Sequence, residues 1–340
     1  MHVIQAVNVN DALRQGLDLL TYQGAFESSR NGAVLVAPWP VCTVYRDSRQ
    51  RVLANPVRDA NPFFHLFESI WMLAGRNDVA FPARYAKQLL MYAEQDGTMN
   101  GAYGYRWRCH FGYDQLPLII EELRRNKQTR RCVLTMWDGG SPTSNGSVGD
   151  LQKAIAGSND VPCNTQVYFR VRGSLLDMTV TCRSNDIIWG AYGANAVHFS
   201  VLHEFIANAT ELEVGRYYQM SNNYHAYTER DDFSKLVDRY VPNDIYAHLT
   251  SYRLMDDSNY QYWLEDAEAF IKNPHAEGPY HHSFFDEVAR PMAMAHAAYK
   301  VEAYGDAMRW AGACAAEDWR YAAIVWFRTR SNWPMEGARL

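Results

Sequence analysis

A cysteine and an arginine stand at positions where they could form a nucleophile and an anion-binding site. Cys163 lies in the run Val-Pro-Cys-Asn-Thr-Gln, and Arg183 begins the run Arg-Ser-Asn-Asp. Between them, residues 167–171 and 175–181 have the composition of β-strands joined at Arg-Gly-Ser, which predicts a hairpin. The thiol and the guanidinium would then face the same end of a sheet, where the positive charge favours the nucleophilic thiolate. The alternative is a buried structural cysteine, a common environment for a free thiol.

A carboxylate in an apolar helix is a second candidate for chemistry. Glu68 lies in Phe-Phe-His-Leu-Phe-Glu-Ser-Ile-Trp-Met-Leu, where a lone charge is costly unless it is functional or paired. We therefore favour a functional role over a solvated surface carboxylate. Three further segments carry tyrosine, arginine or histidine in short patterns: Tyr103 in Tyr-Gly-Tyr-Arg-Trp-Arg, Arg130 and Arg131 before a strand predicted over 132–137, and His225 and Tyr227 in His-Ala-Tyr.

Taken in order, these segments resemble those of the thymidylate synthases and the related pyrimidine nucleotide hydroxymethylases. The resemblance covers about residues 30–227, and several collinear segments are strong evidence where any one would be weak. It implies an α+β, three-layer fold with a large mixed sheet at a dimer interface. We expect a catalytic domain over 1–283 and a C-terminal helical extension over 284–340 packed on it.

The resemblance also implies a role for each candidate residue. The catalytic set would be Cys163 as the nucleophile, with Glu68 and Tyr103 handling protons. The nucleotide phosphate would be bound by Arg30, Arg183 and Ser184 of one subunit and by Arg130 and Arg131 of the other. The sugar would be bound by His225 and Tyr227, the base by Asn195, and the folate by Asp186, Leu89 and Tyr92. Two alternatives remain: Arg30 as a solvated turn arginine and Asp186 as a helix cap.

The implied reaction starts with addition of the Cys163 thiolate to C6 of a pyrimidine, followed by attack of C5 on the one-carbon unit of 5,10-methylenetetrahydrofolate. Hydride would then give a methyl group, and water would give a hydroxymethyl group. Three departures from the synthases favour water. Leu89 and Tyr92 replace larger residues that line the folate site, and Asn185 occupies a position that is usually Cys or Ala. The end of the chain, 335–340, does not resemble the apolar tail that closes over the folate in the synthases.

The base preference depends on Asn195, because an amide can both donate to and accept from uracil, whereas a carboxylate suits the amino group of cytosine. The spacing from Asp186 to Asn195 is one residue longer than in the family, so the assignment depends on an alignment gap. We expect a homodimeric dUMP hydroxymethylase. The alternatives are a thymidylate synthase, a cytidylate hydroxymethylase, or a non-catalytic nucleotide-binding homologue, because Asn164 and Tyr168 replace the usual His and Gln.

Composition is that of a globular enzyme, with 340 residues of which 48% are hydrophobic and 21% charged. A net charge of −5 does not suit a binder of nucleic-acid backbones, so small nucleotides are the better substrates. Six cysteines at irregular spacing predict neither disulfides nor a metal site. We find no signal peptide or membrane span and expect a cytoplasmic protein, in the host cytoplasm if a phage encodes it.

Periodicity predicts the elements that must position these residues. We expect a helix over 12–20, strand structure over 32–45 interrupted at Pro38 and Pro40, and a core helix over 197–212 in which His198 and His203 are unlikely ligands. The Gly- and Ser-rich stretch 138–160 predicts a long loop with a helical turn at 151–155, either covering the site or forming a surface insertion. The C-terminal stretch 284–330 predicts a helical pair interrupted near Gly305.

Overall fold

A mixed sheet of eight strands organises the part of the chain that the computed structural model describes, residues 1–140, 148–158, 160–229, 233–242 and 244–330. Its strands are β1 (His2–Ala6), β2 (Ala25–Ser29), β3 (Gly32–Val36), β4 (Val41–Tyr45), β5 (Val133–Thr135), β6 (Asn164–Arg172), β7 (Leu175–Asp186) and β8 (Glu213–Tyr227). Their order is β1-β4-β8-β7-β6-β5, and β3 joins β8 while β2 pairs with β3. Parallel β1/β4 and β7/β8 pairs among antiparallel neighbours confirm the predicted mixed sheet.

The interruption predicted at Pro38 and Pro40 is confirmed. Proline has no backbone N–H to donate to a strand ladder, so the extended segment splits into β3 and β4. Both halves pair with β8, β4 at Val41↔Ser221 and β3 at Val36↔His225. This arrangement brings the turn between β2 and β3 to the end of β8, beside Tyr227.

The predicted hairpin is also confirmed, as β6 and β7. Gly173 has a φ of 66° in the turn, a conformation that glycine adopts at little cost. The strands pair from Arg172↔Leu175 to Asn164↔Cys182, and β7 runs parallel to β8 as far as Asp186↔His225. The ends of three neighbouring strands therefore meet at one edge of the sheet.

Eleven α-helices lie within the described ranges: α1 (Val9–Gln23), α2 (Pro62–Leu73), α3 (Tyr103–Arg108), α4 (Gln115–Arg125), α5 (Asp150–Ile155), α6 (Asn195–Ala209), α7 (Phe233–Arg239), α8 (Tyr260–Lys272), α9 (Arg290–Lys300), α10 (Tyr304–Ala313) and α11 (Glu317–Arg330). The helices predicted near the N-terminus and over 197–212 are confirmed as α1 and α6, and the helical turn at 151–155 is α5. Residues 141–147 and 159 of the predicted loop lie outside the described residues. No helix in the described ranges is both long and apolar enough to span a membrane.

The helices form two layers on the sheet. The inner layer includes α6, which contacts β7 and β8, and α2 packs on α6 with all twelve of its residues buried. The outer layer consists of α8, α9 and α11, each in contact with α2. Phe63 on α2, for example, lies 5.3 Å from the ring of Trp326 and 5.3 Å from that of Phe327.

The C-terminal region differs from the predicted helical pair, because it contains three helices, α9, α10 and α11. The chain leaves α9 at Val301 and passes through Glu302, whose φ of 60° ends the helix three residues before Gly305. Gly305 itself lies in α10. A second break separates Ala313 from Glu317. Alanine-rich sequence favours helix on both sides of each break, which is why the second one was not visible in the periodicity.

Candidate active site

The hairpin brings the predicted nucleophile and the predicted anion-binding arginine together. Cys163 immediately precedes β6, and its carbonyl accepts a 2.8 Å hydrogen bond from the Arg183 backbone N–H. The Arg183 guanidinium donates to the carbonyls of Pro162 and Val161 at 2.9 and 3.1 Å, and its Nη2 lies 3.7 Å from Cys163 Sγ. These bonds fix the positive charge against the thiol.

The thiol is nevertheless not activated by charge alone. Burial raises the pKa of Cys163, and nearby Asp160 raises it further, while Arg183 and Arg30 lower it. Burial is the largest effect because an apolar environment disfavours the thiolate. The sequence-based expectation of a charge-stabilised thiolate is thus correct for the direction of the Arg183 effect but omits the opposing effect of burial.

Tyr103 lies at the start of α3, directly beside the nucleophile. Its hydroxyl accepts a 3.2 Å hydrogen bond from the backbone N–H of Asn164. Burial raises its pKa well above the ordinary value, and the neighbouring Cys163 adds to this effect. The next residue, Gly104, is required by packing, since a Cβ there would lie 1.8 Å from the Met72 carbonyl oxygen. Close contact between α3 and α2 therefore sets the position of the phenol.

Glu68 lies on α2 and faces a histidine on α6. Its side chain is buried, and its Oε2 lies 2.9 Å from Nε2 of His198, which is buried as well. The orientation of the two groups forms no hydrogen bond between them. The carboxylate in the apolar helix is thus neither a surface group nor a member of an arginine or lysine salt bridge.

A chain of amides connects the nucleophile to the first turn of α6. Asn164 Nδ2 donates to Asn195 Oδ1 at 3.0 Å, and Asn195 Nδ2 donates to Asn185 Oδ1 at 3.1 Å. Asn185 Nδ2 in turn donates to Ser221 Oγ at 2.9 Å. All four side chains are buried. The chain fixes the orientation of the Asn195 amide, with its oxygen toward the nucleophile's neighbour.

The segment between Asp186 and Asn195, which we predict to be one residue longer than in the family, contains a wider helical turn. Residues Ile187–Ala194 form a π-helical segment that contains a non-helical Gly193, and regular α-helix begins at Asn195. Asp186 caps this segment by accepting from the backbone N–H groups of Ile188 at 3.3 Å and Trp189 at 2.6 Å. The capping alternative for Asp186 is therefore observed, and burial raises the pKa of this carboxyl.

The end of β8 and the β2–β3 turn meet beside this chain of amides. His225 is buried, its Nδ1 lies 2.8 Å from Asn223 Oδ1, and burial lowers its pKa. Its ring lies 5.3 Å from that of Tyr227, whose hydroxyl accepts a 3.4 Å hydrogen bond from Asn31. The exposed Arg30, adjacent to Asn31, is close enough to lower the pKa of Cys163. Ser184 on β7 pairs with Asn223, so it lies at the same edge.

Arg130 and Arg131 are the predicted site residues that the single chain does not bring to this edge. Both are exposed and precede β5, whose Val133 pairs with Tyr168. At about 3.3 Å per residue along β6, this places them about 20 Å or more from Cys163. The predicted strand over 132–137 is correspondingly shorter, since only Val133–Thr135 form β5.

Comparison of the chain with known protein families agrees with this geometry. The family model described as thymidylate synthase matches residues 61–267. The chain belongs to the thymidylate synthase family. A protein named deoxyuridylate hydroxymethyltransferase from Pseudomonas phage M6 is 42% identical over 97% of this chain and 95% of the relative. Proteins with the same name from Bacillus phage SP01 and Delftia phage PhiW-14 are 33% and 27% identical over 58% and 68% of this chain, and over 51% and 64% of their own lengths.

The residues at which this thymidylate synthase family member departs from the synthase pattern lie in several parts of the structure. Leu89 is buried and Tyr92 half-buried in the 3₁₀-helix Lys87–Tyr92, and Asn185 belongs to the chain of amides. Tyr168 is 40% exposed on the sheet, away from Cys163. Residues 335–340 lie outside the described part of the chain.

The core position predicted for His198 is confirmed, since it is buried in α6, but its contact with Glu68 was not predicted. A signal was present: His198 follows Asn195 by three residues on a helix, so both side chains lie on the same face. Within the described ranges, no group of three or more His, Cys, Asp or Glu side chains is arranged to hold a metal ion.

Proposed function

We propose that this protein is a deoxyuridylate hydroxymethylase, which converts dUMP to 5-hydroxymethyl-dUMP with 5,10-methylenetetrahydrofolate and water. The observation that carries the proposal is the similarity along nearly the whole chain to the phage M6 protein of that name. A half-buried thiol held against Arg183, with a buried carboxylate on the facing helix, supports the same chemistry. We place the reaction in the cytoplasm, that of the host if a phage encodes the protein.

In this proposal Cys163 adds to C6 of the pyrimidine, which makes C5 nucleophilic toward the one-carbon unit supplied by the folate. Loss of the C5 proton and release of tetrahydrofolate leave an exocyclic methylene on C5, and water adds to it. Because burial raises the pKa of Cys163, the thiolate needs additional positive charge, and a bound nucleotide brings none. Arg183 and Arg30 supply it.

Phosphate binding requires two copies of the chain. Arg183, Arg30 and Ser184 share one edge of the sheet, and the guanidinium fork suits phosphate oxygens. Arg130 and Arg131 lie too far along β6 to join them within one chain, so we assign them to the phosphate of a partner subunit. The sheet supports a homodimer: on β7, the half-buried Thr179 and Thr181 alternate with buried residues, and on β6 Tyr168 is 40% exposed.

The remaining nucleotide contacts follow from the amide chain and from β8. Asn195 is fixed by Asn164 and Asn185, and an amide presents both a donor and an acceptor to uracil. His225 and Tyr227 are close together at the end of β8 and bind the sugar hydroxyl. Tyr103, with its hydroxyl at the Asn164 backbone, lies where it can handle the C5 proton.

The folate contacts are assigned to Asp186, Leu89 and Tyr92. Asp186 accepts backbone hydrogen bonds from Ile188 and Trp189, and a carboxylate has about four lone-pair sites, so it keeps acceptor capacity for the N–H groups of a pterin. The neighbouring Trp189 is 39% exposed and offers an aromatic surface for a flat ring. Leu89 and Tyr92 form a smaller wall than two tryptophan-sized residues would, which leaves room for water.

The test is mass analysis of the nucleotide formed from dUMP, dCMP or CMP in the presence of 5,10-methylenetetrahydrofolate. We expect 5-hydroxymethyl-dUMP and tetrahydrofolate from the wild-type protein, and no product from Cys163→Ala. A methyl product with dihydrofolate would identify a thymidylate synthase instead. Product from dCMP or CMP alone would overturn the base assignment, and no product from any nucleotide would favour a non-catalytic binding protein.

A further inference from the structure

Among the residues that the structure describes, three buried polar atoms, on α2, on α6 and on the residue after Cys163, have no hydrogen-bond partner. They are Glu68 Oε2, His198 Nε2 and Asn164 Oδ1, on side chains that are 9%, 4% and 0% exposed. A buried polar atom without a partner costs about 1–3 kcal/mol, so such atoms in a native protein normally meet water or a ligand. Three of them in one site indicate that the site is built to hold a polar molecule.

The contacts of α6 bring these atoms into one neighbourhood. Asn164 is hydrogen-bonded to Asn195, the first residue of α6, and His198 lies one turn further along the same helix. Across from it, Glu68 Oε2 is 2.9 Å from His198 Nε2. Two atoms at this separation can both hydrogen-bond to a single water molecule, which needs two or more polar partners to be held in a buried site.

Two nearby titratable or charged groups, His65 and Arg58, have environments and contacts of their own. Burial lowers the pKa of His65 well below the ordinary value, and Arg58 and His198 lower it further, so His65 is neutral near pH 7. Arg58 donates from Nη2 and Nε to the Ile188 carbonyl at 2.7 and 3.2 Å. The Glu68 carboxylate lies 2.9 Å from the His198 imidazole across the interface between α2 and α6.

We propose that His198, opposite the active-site carboxylate Glu68, helps to hold the water molecule that becomes the hydroxyl group of the product. The inference rests on the proposed hydroxymethylase function. The water forms a bond from its oxygen to the exocyclic carbon and loses a proton to Glu68, while His198 provides its second hydrogen bond. The electron pair of the exocyclic double bond moves into the ring as the C4 enolate. Collapse of the enolate restores the C5–C6 double bond and expels the Cys163 thiolate, so no oxidant or reductant is needed.

This assignment separates the water step from the steps before it, because proton removal from C5 precedes water addition. The experiment compares wild-type protein with His198→Gln, measuring tritium release from [5-³H]dUMP and the yield of 5-hydroxymethyl-dUMP in the same reaction. Loss of one hydrogen bond to a reacting group should lower the yield per tritium released about tenfold. In 2-mercaptoethanol, the variant should divert the exocyclic methylene to a thioether product, identified by mass.

His203→Gln is the matched control, because His203 lies on the same helix and is fully buried but contacts Ser48 and the Leu176 carbonyl instead. It should leave the yield per tritium released unchanged. Formation of a covalent complex with 5-fluoro-dUMP and the folate, seen as an intact mass, shows whether His198→Gln folds and binds. His198→Asn provides a second variant if it does not.

An unchanged yield per tritium released in the folded His198 variant, with no thioether product, would overturn this inference alone. In a single turnover, with enzyme in excess over the nucleotide, a parallel slowing of tritium release and product formation would also overturn it, because His198 would then act before water addition. A methyl product from the wild-type protein would overturn the proposed function itself, and this inference with it.

Discussion

Replacing Arg183 by Gln should slow the alkylation of Cys163 while leaving the hairpin intact. Arg183 Nη2 lies 3.7 Å from Cys163 Sγ and lowers the pKa of the thiol, against the larger raising effect of burial. Glutamine keeps much of the side-chain volume but removes the charge. The pKa of Cys163 should therefore rise further, and less thiolate should be present at any pH below it.

The distance sets the size of the effect. Two unit charges 3.7 Å apart interact by about 1.1 kcal/mol in bulk water and by about 4.5 kcal/mol at an effective dielectric constant of 20. The thiol is half-buried, so the value for water is the lower bound. Since about 1.4 kcal/mol corresponds to a tenfold change, the thiolate population should fall at least about sixfold.

The assay is the rate of iodoacetamide modification of Cys163 at pH 8, resolved from the other five cysteines by peptide mass analysis. Arg172→Gln is the control, because Arg172 lies at the far end of the same hairpin and pairs with Asp177 at 2.9 Å. It should leave the Cys163 rate unchanged. Equal rates for wild-type protein and Arg183→Gln would refute the electrostatic argument and leave the arginine with a phosphate-binding role only.

Three other perturbations have defined outcomes. Asp150→Ala should lower the free energy of unfolding in urea by about 3–5 kcal/mol, because it leaves the fully buried Arg106 guanidinium without its 2.6 Å partner. The exposed control Asp306→Ala should lower it by less than about 1 kcal/mol. Burial raises the pKa of Asp318 to about 6, so its ionisation destabilises the fold. The free energy of unfolding should therefore fall by about 3 kcal/mol as pH rises from about 4 to 6. Asp318→Asn should remove this part of the pH dependence, and an unchanged dependence of unfolding on pH would contradict it. Asn195→Asp should shift the ratio of kcat/KM for dCMP over dUMP at least about tenfold toward dCMP, since a carboxylate only accepts; competition between the two substrates measures it, and no shift would remove Asn195 from base recognition.

The parts of the fold that depend on neighbouring residues were predictable from the sequence. The β6–β7 hairpin, the break between β3 and β4 and the helix α6 follow from strand composition, proline and apolar spacing. The Cys163–Arg183 contact followed from the hairpin, because two strands joined by a short turn must end side by side. The family resemblance, confirmed by the match over residues 61–267, supplied the remaining site residues.

The features that were not predictable depend on distant contacts. Glu68 and His198 meet only because α2 packs across α6, and no local pattern records that packing. The pKa of Cys163 depends on total burial, which spacing does not reveal. The position of Arg130 far from Cys163 is explained by the homodimer that we propose, and contacts between two chains leave no local pattern in one sequence.

The π-helical turn before Asn195 has a consequence for how such a protein can change in length. A residue inserted into a regular helix rotates everything after it by about 100°, which would turn the inward face of α6 away from Cys163. Here the irregular turn lies between the cap at Asp186 and the regular helix from Asn195, with Gly193 taking the irregular backbone angles, so the extra residue that we predict in this segment would be confined there. The turn therefore isolates α6 from length changes upstream. Insertions and deletions can accumulate next to a catalytic centre in this way without moving the groups that act there.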